Sequence, residues 1–413
     1  MSTPKPTSEP KKTVETTSPE EMMAALLEFE SQDLPVISLY LDARADAQGR
    51  QNFSTFVRKR LTERVRTFAQ QTPERESLEA DLRRIADYLG EVRRSAQGVA
   101  IFACSGANDF FKVGQFDAPF ERHQLFISER PHVYPLARLV DRYRPYAVVL
   151  ADTNRAQILV FACGSTLTRK ELQNVKTKQA QIGGWTQSRY ERHLENYHIQ
   201  HAKEIVTVLE DVVRAEKIDD VILAGDEATI VPLLREQMSK ELSAKIINVM
   251  SLAIDTPEHV LLEESLRVYR QHDSLSDREK VEQLMNEYGA DGRAVVGVPQ
   301  TFAALSNGQV EELLISASPA SLQFDNSEVT KVWDAYRTDV SPPATADSRT
   351  IADELVRRAR QLSSARVTFV EDPSLLEHVG GVGALLRYRI SAESAAPYEQ
   401  GGVIPKSQAL VEM

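Results

Sequence analysis

The 413-residue chain contains two cysteines, two tryptophans and eight histidines. Scarce cysteine excludes a disulfide scaffold. Cys104 and Cys163 stand alone in apolar stretches, "AIFACSG" and "ILVFACG", and form no metal-binding pair. They are expected to be buried, reduced thiols. No apolar run approaches the roughly 20 residues that a membrane span needs. The opening "MSTPKPTSEPKKTVETTSPEE" has no hydrophobic segment of a secretory signal and reads as a solvated leader. Neither phosphate-binding pattern, G-x-x-x-x-G-K-[ST] or G-x-G-x-x-G, occurs. No internal repeat is visible. Together these absences point to a soluble, cytoplasmic protein with no cofactor.

Positive charge is also short. The formal net charge is −11, against a general nucleic-acid coat but not against a local contact. Two stretches oppose the balance. Residues 44–94 carry twelve Lys/Arg against eight Asp/Glu, and residues 169–192 carry six against two. A mixed-charge helix face accounts for the first. At 42% hydrophobic and 26% charged, the chain is otherwise ordinary globular material for two to four domains.

The pattern along the chain is α/β, with α+β character at the start. In "PVISLYLDA", Ile37, Leu39 and Leu41 alternate with Val36, Ser38 and Tyr40, as a strand requires. Helices follow near residues 53–67 and 75–90, the second with Leu78, Leu82, Ile85 and Leu89 in a stripe. "YAVVLAD", "RAQILVFACG" and "TLTRKELQ" form a meander. A long helix starts at Gln187 and runs to about Lys217, with Tyr190, Leu194, Tyr197, His201, Ile205, Val208 and Val212 along one side. His193, His198 and His201 match no metal-ligand spacing and are assigned to packing. "DDVILAGDE" is a buried strand. Pro299 and Gly308 bracket another helix, and "VEELLIS" is a strand. In "TIADELVRRARQL", Thr350-x-x-Asp353 has the form of a capping box, with Ile351, Leu355, Ala359 and Leu362 as the buried stripe. The expected division is a leader (1–20), an N-terminal α/β domain (21–140), a middle domain (141–272), a C-terminal α/β domain (273–392) and a tail (393–413).

"QIGGWTQSRYERH" (181–193) stands out, because a tryptophan follows two glycines in a turn. Gly183 and Gly184, then Arg189-Tyr190-Glu191-Arg192, share the register of the release loop of class-1 termination factors, Gly-Gly-Gln, three residues, then Arg-[Phe/Tyr]-x-Arg. "GVPQTFAALSNGQVEELLIS" (297–316) and "GGVGALLRYRI" (380–390) are similar to the third domain of that eukaryotic and archaeal family and of its relative pelota. The stop-codon motif Asn-Ile-Lys-Ser is missing. The chain most resembles the bacterial release-factor-like group.

That resemblance implies a three-domain, tRNA-shaped architecture with mixed sheets packed by helices. It implies a ribosome-associated monomer which hydrolyses peptidyl-tRNA and rescues stalled ribosomes without reading a stop codon. Gly183, Gly184 and Gln187 would be the catalytic residues. Glycines allow close backbone approach, and a glutamine amide can position water without titrating. Lys176, Lys178, Arg189 and Arg192 would hold RNA phosphates, and Trp185 would stack. Partners implied are rRNA, peptidyl-tRNA and a translational GTPase at the C-terminal domain; no metal and no membrane are implied. Trp185 occupies the family's glutamine position, with Gln187 two residues on. That departure opens the alternative of a non-catalytic hibernation factor occupying the A site.

Overall fold

The computed structural model describes residues 19–46, 48–163, 165–173, 187–335 and 347–388. Three sheets organise it. Helix α1 (Pro19–Glu28) precedes strand β1 (Val36–Asp42), helices α2 (Phe53–Val65) and α3 (Pro73–Tyr88), and strands β2 (Gly98–Cys104), β3 (Phe110–Phe116) and β4 (Gln124–Ser128). The four strands are antiparallel in the order β3-β2-β1-β4. The alternation in β1 has the expected consequence. Ile37, Leu39 and Leu41 meet α2 and α3, where Phe53, Val57, Leu61 and Val65 recur every four residues. Tyr40 points the other way.

That other face belongs to a core shared between distant parts of the chain. Tyr40, Phe102 and Phe116 join Met22 and Leu26 of α1, Leu136 and Leu139 of α4 (Tyr134–Arg142), and the interior of the third sheet. The segment entering α4 is stitched down at both ends. The Tyr40 hydroxyl donates to the His132 carbonyl at 2.6 Å, and the Tyr134 hydroxyl to the Ser316 carbonyl at 2.6 Å.

The second sheet is built from β5 (Tyr146–Ala151), β6 (Arg155–Ala162) and β7 (Ser165–Gln173), the expected meander. Helix α5 (Gln187–Ala215), β8 (Asp220–Gly225), α6 (Ile230–Gln237), α7 (Lys240–Ala244) and β9 (Ile246–Met250) complete it. The order is β7-β6-β5-β8-β9, with β5, β8 and β9 parallel. Such short, nearly uninterrupted apolar strands suit a sheet covered on both faces. Helices α5 and α6 cover one. The first half of α8 (Glu258–Gly289) covers the other, where the Tyr269 ring stacks on Tyr146 with centroids 4.7 Å apart.

Helix α8 continues into the third sheet, placing Val281 and Leu284 against Leu314 and Val370. That sheet contains β10 (Ala294–Val296), α9 (Val298–Ser306), β11 (Val310–Ser316), α10 (Asn326–Ala335), α11 (Ser348–Gln361), β12 (Arg366–Val370) and β13 (Val382–Leu386). Its order is β10-β13-β11-β12, and β11 and β12 are parallel. "GGVGALL" places β13 between two neighbours. Gly381 has φ +81°, and its carbonyl accepts from Ser316 N–H at 2.9 Å.

Two details of α11 depart from the sequence pattern. Its cap is Asp347, which accepts from the Thr350 amide, and not Thr350. Leu362 is 56% exposed, while Arg357 and Arg358 are buried. Arg358 pairs with Glu354 at 2.8 Å and covers the Phe302 ring, and Arg357 donates to the Pro131 carbonyl. Helical spacing selected a charged pair for the interior because both guanidinium groups find partners there.

Candidate functional site

The Gly-Gly stretch connects the outermost strand of the second sheet to its longest helix. Residue Gln173, at the end of β7, lies opposite Arg155, at the start of β6. The connection therefore leaves the sheet edge where β5 and β8 also finish, since Ala151 pairs with Gly225. Lys176, Lys178, Gly183, Gly184 and Trp185 lie outside the described residues. Gln187 is the first residue of α5, and Arg189 and Arg192 follow in its opening turns; their side chains also lie outside the description.

Helix α5 is long for the sheet it covers. Its 29 residues span about 44 Å at 1.5 Å each. From Glu195 onward, where burial is described, His201, Ala202, Ile205 and Leu209 are fully buried and Val212 nearly so. Glu195 and Asn196 are exposed, and Tyr197, His198 and Ile199 are half-buried. The first-turn amides of any helix lack intrahelical acceptors and carry the positive end of its dipole. Gln187 occupies that end.

His201 is one of the enclosed positions on α5. It is fully buried, and burial holds its imidazole below the usual histidine range, beside Arg155 and Glu204. The Tyr197 hydroxyl has no hydrogen-bond partner among the described residues. The enclosed ring packs where α5 lies on the second sheet. Next to it the β5–β6 turn is closed by Asp152, which accepts from the Asn154 and Arg155 amides at 2.7 and 2.6 Å.

Part of the local positive charge is already compensated. Arg169 pairs with Glu171 at 2.8 Å and with Glu258 at 2.9 Å, and Glu258 also accepts from Thr166. Lys170 is exposed. No cluster of three His, Cys, Asp or Glu that could hold a metal occurs among the described residues. Nor is any described helix long and apolar enough to cross a membrane. Sequence reading missed a second polar constellation, Glu121, Arg138, Arg142 and Glu371, because its members come from widely separated elements.

Residues 131–270 match the family model described as bacterial archaeo-eukaryotic release factor family 10. Over this span the chain is similar to that family. The matched span runs from the residue before His132 through α4 and the whole second sheet, and includes the Gly-Gly stretch and the first turns of α8. The stretches 297–316 and 380–390, where the resemblance looked strongest in sequence, fall outside it. No curated protein matches the chain. Among solved structures, the chain aligns with an archaeal translation termination factor, aRF1, at 16% identity, covering 90% of this chain and 99% of that one, with TM-score 0.25. Archaeoglobus fulgidus Pelota aligns at 13% identity over 73% and 82%, with TM-score 0.30. A model of ribosome-bound archaeal Pelota with ABCE1 aligns at 13% over 91% and 96%, with TM-score 0.40.

Proposed function

We propose that this protein is a ribosome-associated factor that releases the peptide from peptidyl-tRNA on stalled ribosomes, independently of a stop codon. The observation that carries the reading is the family match over residues 131–270, which contains Gly183-Gly184 and the trailing Arg189-Tyr190-Glu191-Arg192 in the release-loop register. The protein works as three domains in one cytoplasmic chain. The middle domain carries the Gly-Gly tip on the leading end of α5. The C-terminal domain meets a translational GTPase.

Ester hydrolysis needs a positioned water and donors aimed at the developing oxyanion. Gln187 orients the water, and the positive end of α5 favours the negative charge that forms. Gly183 and Gly184 let the backbone approach the tRNA end. Lys176, Lys178, Arg189 and Arg192 hold phosphates, and Trp185 stacks on a base or an rRNA surface.

One observation favours a second reading, a non-catalytic occupant of the A site that protects idle ribosomes. Trp185 stands where the family has glutamine. The two readings separate in one experiment on Gln187→Ala. Catalysis predicts that release from purified stalled ribosomes falls by about a hundredfold or more, the size seen on removing one oxyanion-type donor. Co-sedimentation with ribosomes stays intact. Undiminished release by the variant removes Gln187 from the chemistry. Ribosome binding with no release by the parent chain establishes the protective role instead.

A further inference from the structure

A cleft of about 430 Å³ opens between the first sheet, α4 and the third sheet. Its volume lies in the range of small-molecule sites, about 300–1,000 Å³. Its floor is set by topology. Ala317, Ser318 and Pro319 follow β11 directly, Glu371 follows β12, and Arg349 is the second residue of α11, which lies between these two parallel strands in sequence. The crevice beyond the carboxyl ends of parallel strands is where open α/β sheets bind ligands.

Its charge is the reverse of the chain's. Four arginines and two glutamates line it, in a protein of net charge −11. Both glutamates are already engaged. Glu121 and Glu371 hold Arg138 at 2.7 and 2.8 Å, and reach Arg142 at 3.4 and 3.8 Å. Arg122 and Arg349 are exposed and make no ion pair among the described residues. They line the cleft from opposite sides of the chain, Arg122 beside β4 and Arg349 on α11. Four guanidinium groups lining one cleft, two of them without an ion pair among the described residues, form a site for an oxyanion with several acceptor oxygens, since each fork offers paired N–H donors. The Gln124 amide and the half-buried Phe126 ring supply further polar and apolar wall.

We propose that this cleft binds a small phosphate-bearing ligand of nucleotide size, its phosphate held between Arg122 and Arg349. The ligand bridges the first and third sheets and is independent of the Gly-Gly tip.

Isothermal titration of the full chain with inorganic phosphate, ADP and GDP tests it. At least one nucleotide binds tenfold or more tighter than inorganic phosphate, and the double variant R122A/R349A weakens that binding at least tenfold. The ligand-free melting temperature of that variant matches the parent, because neither arginine is ion-paired. R122K/R349K, which keeps charge but loses the forks, gives an intermediate affinity. The proposal is overturned by equal affinity for phosphate and nucleotides, by unchanged binding in R122A/R349A, or by no nucleotide binding at millimolar concentration. Binding of a single-stranded oligonucleotide without any mononucleotide binding overturns it as well, in favour of an RNA surface.

Discussion

Asp353 on α11 holds Val133 across 220 residues of sequence: its carboxylate accepts the Val133 amide at 2.6 Å, and the Tyr134 amide at 2.8 Å. The His132 imidazole approaches the same oxygen at 3.4 Å. A residue with the spacing of a local cap in its own helix instead caps α4, the helix that links the first sheet to the second. The family match begins within two residues of this contact.

Removing that acceptor leaves two amides with no replacement in a largely buried place. Asp353→Ala is expected to cost about 1–3 kcal/mol, the penalty for unsatisfied buried donors. Asp353→Asn, which keeps an acceptor oxygen, recovers part of the loss. Urea unfolding of the three chains measures the difference. Equal midpoints for parent and Asp353→Ala would show that the contact is incidental.

Acid should favour the junction between the second and third sheets. Burial raises the Asp277 carboxyl to about 7, with Asp273 adding to it, and burial raises Asp141 to about 6 against the pull of Arg144. In the unfolded chain both titrate near 3.9. From about pH 4 to pH 7 the native state thus retains protons that the unfolded state has released, so stability falls as pH rises. The contribution is complete below about pH 4 and lost above about pH 7. Asp277→Asn removes one of the two titrations and still offers an acceptor to the Glu371 amide, which Asp277 receives at 3.4 Å. Its melting temperature should decline less between pH 5 and pH 8, and at pH 8 it should be at least as high as the parent's. Parallel pH profiles would refute this assignment.

The third sheet should be sensitive at Gly381. Its φ of +81° disfavours any side chain, and a Cβ there would lie 2.6 Å from the Ser321 carbonyl oxygen. Gly381→Ala is expected to destabilise the chain by more than the roughly 1–2 kcal/mol of the left-handed conformation alone. Gly49, also at positive φ but with open space around it, is the control; Gly49→Ala should lose only the conformational part. Thermal unfolding of both variants distinguishes the two terms, and equal losses would show that the Ser321 contact relaxes freely.

Sequence alone carried much of the local structure. Alternation placed β1, short turns placed the meander β5-β6-β7, and the Gly-Gly stretch marked the start of α5 at Gln187. These are short-range signals: a side chain's direction repeats every two residues in a strand and every 3.6 in a helix. The Gly-Gly register and the trailing arginines were legible for the same reason, since one short segment holds them all. The α11 reading failed on the same principle. Thr350-x-x-Asp353 had the right spacing for a cap, but spacing does not say which amides a carboxylate will reach. Packing gave Asp353 to Val133 and Tyr134, and gave the interior to Arg357 and Arg358 while Leu362 faced solvent. The arginine cleft was out of reach in the same way. Arg122, Arg138, Arg349 and Glu371 become neighbours only when α4 docks between the first and third sheets, and that docking includes contacts between residues more than 200 positions apart. What the chain forms locally was written in its periodicity; which of its charges meet was decided by tertiary packing.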